Sequence, residues 1–325
     1  MARILVTGGA GYIGSHACKM LRAAGHDPVA FDNLSTGWRA AVKFGPLIEG
    51  DLLDPAALAA AFAQVRPDAV MHFGALSNVG ESVKDPALYW RNNATGSLNL
   101  LSAMRDAGVG RIVVSSTAAT YGEPDQDPIT ETAPQRPINA YGASKLAVEA
   151  MLDDFERAYH LQSISLRYFN VAGADPEAEI GEDHRPETHL VPLVLDAAAG
   201  DRAAITVFGN DYPTPDGTCI RDYVHVVDLI EAHLLSLDRL LAGGASGRFN
   251  LGTGHGFSVR EVIDAAEAVL DRAIPQAMGA RRGGDPARLV CDGTRARAEL
   301  GWAPSRSTMP RMIGDAWRWR ETGRY

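Results

Sequence analysis

The opening stretch of the chain constrains its fold more than any other. Arg3-Ile4-Leu5-Val6-Thr7 is a short apolar run of the kind a fully buried parallel strand needs. It leads at once into Gly8-Gly9-Ala10-Gly11-Tyr12-Ile13-Gly14 and then a helical pattern over residues 15–24. Gly8 allows a tight turn, Gly11 lets backbone approach a pyrophosphate, and Gly14 permits close packing of helix against strand. Phosphates then sit on unpaired amides at the helix N-terminus. Asp32 ends a second apolar run, residues 28–31, eighteen positions beyond Gly14. Its carboxylate is placed to accept hydrogen bonds from an adenosine ribose and to repel a 2′-phosphate. Asn33 and Leu34 follow with no arginine beside them, so NAD is expected rather than NADP.

Further apolar runs at 46–48, 69–73, 111–115 and 163–166 alternate with helical stretches at 55–64, 93–107 and 144–159. Such alternation predicts an α/β fold with a Rossmann-type doubly wound parallel sheet. From about Ala172 the chain turns rich in Gly, Pro and Asp, which marks the start of a second, smaller α/β region. Residues 222–241 and 247–252 read as a helix and a strand that return to the first sheet. The expected division is therefore 1–171 with 222–256 as a dinucleotide-binding domain, and 172–221 with 257–325 as a substrate domain. At 325 residues the chain has the length for two domains.

The net charge of −9 and the lack of a long basic cluster exclude a nucleic-acid surface. No apolar run reaches transmembrane length, and the N-terminus reads as the first strand rather than a signal peptide, so the cytoplasm is the expected compartment. Cys18, Cys219 and Cys291 are few, scattered and odd in number, which suggests neither a disulfide framework nor a zinc site.

Tyr141-Gly142-Ala143-Ser144-Lys145 places a phenol and an ammonium four residues apart, on one face of a helix. Bringing a tyrosine from its usual pKa of about 10 to near 7 takes about 4 kcal/mol of preference for the phenolate. A lysine cation and a positively charged nicotinamide are the groups that could supply it.

The glycine turn, Asp32, Ser115-Ser116-Thr117 at a strand end, Tyr141 with Lys145, and Arg167-Tyr168-Phe169-Asn170 together resemble the extended short-chain dehydrogenase/reductase family. Further stretches resemble the UDP-glucose 4-epimerase branch of that family and fall in its order: His72-Phe73, Val79-Gly80-Glu81-Ser82, Phe208-Gly209-Asn210-Asp211-Tyr212-Pro213-Thr214, Arg221-Asp222-Tyr223-Val224-His225 and Arg281-Arg282-Gly283-Gly284-Asp285. The resemblance implies a tightly held NAD that is neither consumed nor released, a UDP-sugar substrate, and a homodimer joined through helices at 93–107 and 144–159.

It also implies residue roles. Tyr141 would remove the proton from the sugar C4 hydroxyl, Thr117 would share a short hydrogen bond with that oxygen, and Lys145 would bind the nicotinamide ribose and lower the phenol's pKa. Tyr12, Ile13, Asn33, Leu34, Ser35, Thr36 and Gly37 would join the glycines and Asp32 around the dinucleotide. Asp51 and Leu52 would meet the adenine, and Phe73, Gly74, Ala75, Ser77, Asn92 and Phe169 match other cofactor contacts. Arg221 and Arg282 offer planar cations for the diphosphate, Asp285 an acceptor for the uridine ribose, and Phe208 a ring against the uracil. Asn170, His189, Leu190, Thr206 and Leu289 complete the implied substrate site.

Three positions depart from the common pattern. Ser77 stands where many members carry a lysine, His189 replaces a frequent asparagine, and Leu289 falls where side-chain size governs acceptance of N-acetylated sugars. The 4-epimerisation of UDP-pentoses, UDP-N-acetylglucosamine or UDP-glucuronate therefore stands beside that of UDP-glucose, with a non-catalytic NAD-binding sensor as the reading from another class. A 4,6-dehydratase would carry an Asp-Glu pair after the threonine, and a UDP-glucuronate decarboxylase a glutamate; here Ala118 and Ala119 follow Thr117. His184 and His189 flank Glu187, but a five-residue spacing does not align two imidazoles on a helix, and no metal is expected.

Overall fold

Ile4, Leu5 and Val6 are all fully buried, Ile4 and Val6 on one face of a sheet and Leu5 on the other. A strand apolar on both faces needs helices on both sides, and the computed structural model, which describes residues 1–281 and 286–325, supplies them. The first part of the chain runs β1 (Arg3–Thr7), α1 (Tyr12–Ala23), β2 (Asp27–Asp32), β3 (Leu47–Glu49), α2 (Pro55–Val65), β4 (Ala69–His72), α3 (Val79–Lys84), α4 (Pro86–Tyr89), α5 (Gly96–Asp106), β5 (Arg111–Thr117), α6 (Ala140–Tyr159) and β6 (Gln162–Tyr168). It continues through β7 (Asn170–Ala172), α7 (Leu190–Ala199), β8 (Ile205–Phe208), β9 (Ile220–His225), α8 (Val226–Leu241) and β10 (Gly247–Leu251). The last elements are β11 (Gly256–Ser258), α9 (Val259–Leu270), β12 (Gln276–Gly279), β13 (Arg288–Leu289), α10 (Thr294–Leu300) and α11 (Met309–Glu321).

Seven strands form one parallel sheet in the order β10-β6-β5-β4-β1-β2-β3. The progression of strands across the sheet reverses between β1 and β4, which creates the crevice at the carboxyl ends of the strands where ligands of such sheets bind. Ala17 and Leu21 of α1 pack with Leu229 and Leu237 of α8 on one face. Leu58 and Phe62 of α2, Leu100 of α5 and Leu152 of α6 cover the other. A separate core joins Val191 and Leu195 of α7, Val207 of β8, Tyr223 of β9, Val262 of α9 and Met312 of α11. There β9 is the organising strand, pairing with β7, β11 and β13, while β12 pairs only with β8 among the described residues.

The structure differs from the sequence expectation in three places. Residues 222–225 belong to strand β9, and the helix begins only at Val226, where His225 Nδ1 accepts the Val227 amide at 3.1 Å. The expected helix at 93–107 starts instead as a π-helical turn, Trp90–Thr95, before α5. Helix α6 begins at Ala140, capped by Asn139 Oδ1, which accepts the Gly142 amide at 2.8 Å. That cap puts Tyr141 in the first turn, beside the end of β5.

Candidate active site

The turn after β1 is shaped by what its glycines exclude. Gly8 has a φ of +72°, and a Cβ there would lie 2.6 Å from the Gly74 nitrogen. A Cβ on Gly14 would lie 2.1 Å from the Gly8 oxygen, so this glycine packs the helix against the turn itself rather than against the strand. At Gly11 a Cβ would meet only the Gly8 oxygen, at 3.3 Å, which leaves the cradle open. Gly11 caps α1 with no side chain, and no acidic residue stands in the first turn, an arrangement suited to an anionic phosphate. Asp32 accepts the Ala10 amide at 3.0 Å and the Leu34 amide at 2.8 Å, one on each oxygen, which leaves further lone pairs for ribose hydroxyls. Burial raises its pKa, and the two amides oppose that rise. These features fit NAD.

The remaining residues expected at the cofactor are placed less uniformly. Asn33 donates to Asp51 at 2.9 Å, joining the ends of β2 and β3, and Leu52 is buried beside Gly96 and Asn99. Ser35 and Thr36 are exposed, and Gly37 abuts Ala10. Tyr12 turns its phenol to the Gly173 carbonyl at 2.6 Å, and Ile13 packs into the core, so only their main chains face the cradle. The Phe73 ring lies 4.9 Å from His233 in the core. Gly74, Ala75 and Asn92 are half-buried, and Ser77 is exposed.

Thr117, Tyr141 and Lys145 meet at the carboxyl end of β5. Lys145 is buried and donates to the Ser115 carbonyl at 2.9 Å. Burial lowers its pKa to about 8, with Glu149 opposing. Thr117 hydrogen-bonds the Tyr141 phenol, which burial nevertheless holds above its ordinary value. Burial is the larger effect on the phenol, and the Thr117 hydrogen bond opposes it. Tyr89, fully buried, sets its ring edge-on to Tyr141 at 6.5 Å and donates to Glu81 at 2.8 Å.

On the substrate side, Arg221 and Leu289 are neighbours across the β9–β13 pairing, and Asn170 pairs with Tyr223. Leu289 and Phe169 pack against Ala118, Tyr121, Ile129 and Ala133. Thr206 and Phe208 lie on β8, against Gly279 of β12. His189 precedes Leu190 at the start of α7 and pairs with Glu182 at 2.8 Å. Arg282 and Asp285 lie outside the described residues.

Several buried groups escaped the sequence reading. Glu149 accepts two bonds from Arg167, at 2.9 and 2.5 Å, and one from Ser116 at 2.5 Å. It stands four residues after Lys145, and that helical repeat was the available signal. Asn93, in the π-helical turn, holds both the amide and the carbonyl of Leu76 and reaches Ser144 at 3.2 Å. His72 joins Thr7 at 2.6 Å to Ser97 at 2.9 Å.

Burial lowers the pKa of His72 to about 3, and those of His16 and His233 to about 4. Unfolded, each gains a proton below about pH 6.5, so the unfolded state binds more protons and folded stability falls as pH drops. We expect a loss of about 1.5–2 kcal/mol per histidine between pH 6.5 and 5. Urea midpoints at the two pH values measure it, and equal midpoints would show these rings carrying protons in the folded state.

The profile of the NAD dependent epimerase/dehydratase family matches residues 4–252. The chain belongs to that family. A UDP-glucose 4-epimerase of Lacticaseibacillus casei is 52% identical over 98% of this chain and 96% of its own length. The crystal structure of a UDP-glucose 4-epimerase from Brucella ovis in complex with NAD superposes with a TM-score of 0.95, at 48% identity and 98% coverage of both chains. Another, from Bifidobacterium longum in complex with NAD+ and UDP, gives 0.93 at 38% identity and again 98% of both. The matched range spans both the glycine turn and the Tyr141/Lys145 pair.

Proposed function

We propose that this chain is an NAD-dependent isomerase that interconverts UDP-galactose and UDP-glucose by inverting sugar C4. The observation that carries this reading is the meeting of Thr117, Tyr141 and Lys145 at the carboxyl end of the same sheet that bears the glycine turn. The near-full-length likeness to UDP-glucose 4-epimerases supports it. Bound NAD supplies reversible hydride acceptance at C4, through a transient 4-keto sugar, with no net redox change.

Tyr141 takes the C4 hydroxyl proton and later returns it, while Thr117 orients the oxygen between them. Lys145 holds the nicotinamide ribose and adds positive charge beside the phenol, offsetting part of the rise that burial imposes. Asp32 takes the adenosine ribose, Asp51 and Leu52 the adenine, and the α1 amides the pyrophosphate. Asn33 to Gly37, the 73–77 loop, Asn92 and Phe169 line the remainder.

Arg221 and Arg282 neutralise the UDP diphosphate, Asp285 accepts from the uridine ribose, and Phe208 lies against the uracil. Asn170, His189, Leu190, Thr206 and Leu289 bound the sugar and its phosphates. Residues 1–171 with 226–256 are assigned to the NAD-binding unit and 172–225 with 257–325 to the UDP-sugar unit, β9 moving the expected boundary from 222 to 226.

The working form is a homodimer through α5 and α6. Exposed Leu98 and Tyr159 on those helices, with Val83 and Trp90 nearby in sequence, support it, and a solution mass of a single chain would refute it. No described helix is long and apolar enough to cross a membrane. The cytoplasm is the proposed compartment, in keeping with three free cysteines.

UDP-galactose deuterated at C4 tests the chemistry. The label is expected at C4 of the UDP-glucose formed, and its loss to solvent would replace hydride return with simple deprotonation.

A further inference from the structure

We propose that Glu182, His184, Glu187 and His189 bind one divalent transition-metal ion, with Zn2+ the ion their chemistry fits. One ligand atom from each lies within 4.8 Å of every other. His189 Nδ1 is 2.8 Å from Glu182 Oε1 and 3.1 Å from Glu187 Oε1. His184 Nδ1 is 3.2 Å from Glu182 Oε1 and 3.7 Å from Glu187 Oε2. Ligands at about 2.0–2.2 Å from a tetrahedral zinc stand about 3.3–3.6 Å from one another, so the four side chains close on an ion by movements of about an ångström.

The spacing argument against a metal presumed a helix. Residues 181–189 are not helical, and the loop turns both rings toward the same two carboxylates. His184 Nδ1 gives a separate observation: the atom is buried and aligned with no single hydrogen-bond partner, although two carboxylate oxygens lie close by. A ring engaged in one hydrogen bond turns to one acceptor, whereas this one aims between two. Glu187 divides its oxygens in the same sense. Its Oε1 accepts the amides of Thr188 and His189 at 2.7 and 2.8 Å, while Oε2 faces His184.

Two imidazoles and two carboxylates suit zinc over calcium or magnesium, which take six or more oxygen ligands. The two carboxylates balance the charge of the ion. From outside the cluster, Trp319 Nε1 donates to the Glu182 carbonyl at 3.2 Å and holds the loop in place. The ion would pin the segment that leads into α7, and it takes no part in proton or hydride transfer.

Full-length protein stripped with a chelator and titrated with Zn2+ alone tests the site by calorimetry and elemental analysis. We expect one zinc per chain, a raised thermal midpoint, and visible absorption typical of tetrahedral Co2+ when cobalt is substituted. His184→Ala and Glu187→Gln should each weaken zinc affinity by about 10–100-fold or more. Absence of saturable binding to the unmodified protein would overturn the proposal, whatever the variants do. So would unchanged affinity in both variants, because the zinc would then sit elsewhere, as on the cysteines or the Asp175, Glu177 and Glu179 group.

Discussion

Tyr141→Phe is expected to keep its fold and its bound NAD while converting UDP-galactose to UDP-glucose about 10²–10⁴-fold more slowly. The substitution removes one oxygen and leaves the ring in place, edge-on to Tyr89. Stability changes little, by about 1 kcal/mol, because the lost hydrogen bond to Thr117 is offset by relief of a buried hydroxyl. The loss falls on turnover because no other described phenol bonds Thr117 while standing on a helical face with Lys145. Steady-state rates at saturating UDP-galactose, with cofactor content measured on the same sample, decide the matter. Turnover equal to that of the unmodified enzyme would remove the phenol from the chemistry.

The second large effect is on stability. Glu149→Ala leaves the buried Arg167 guanidinium without its carboxylate, and removes an ion pair to Arg248 at 3.2 Å. Breaking a buried pair on one side costs about 3–5 kcal/mol. Lys145 loses the charge that opposes its desolvation, so its ammonium is harder to hold near neutral pH. We expect a lowered urea midpoint together with activity that falls at a lower pH than in the unmodified enzyme. A double replacement, Glu149→Leu with Arg167→Met, should recover much of the stability and little of the activity. Recovery of both would make the pair a packing element with no bearing on Lys145.

The parts of this site that were legible in the sequence are those whose partners lie close along the chain. The glycine turn is written in seven consecutive residues because its geometry depends on local backbone, and Tyr141 with Lys145 is written in one helical turn. Asp32 was legible because βαβ connectivity fixes its distance from the turn. What escaped depends on long-range pairing. The Tyr12 phenol finds the Gly173 carbonyl, 161 residues away, and nothing beside Tyr12 in the sequence marks that partner. Thr7 and His72 meet across 65 residues, and nothing in either neighbourhood marks them as a pair. The 182–189 loop was read with a spacing rule for helices, and the segment is not helical. The last four residues of β9, 222–225, were read as helix because Val224, Val226 and Val227 continue an apolar pattern that fits both periods, and the strand's three partners settle the outcome.

The chain passes between the seven-stranded sheet and the strands around β9 at five connections: after Tyr168, at His225 to Val226, from Leu251 to Gly256, from β13 out to α10, whose Ala296 and Leu300 pack in the first core, and from Trp302 back to α11. A single tether would let two lobes swing apart, whereas a multiple seam resists bending. Neither half can be excised by one cut, so limited proteolysis should yield no fragment that survives alone. For an inversion that needs the same carbon presented from both sides, such a frame assigns the turning to the bound sugar, with the protein walls standing still around it.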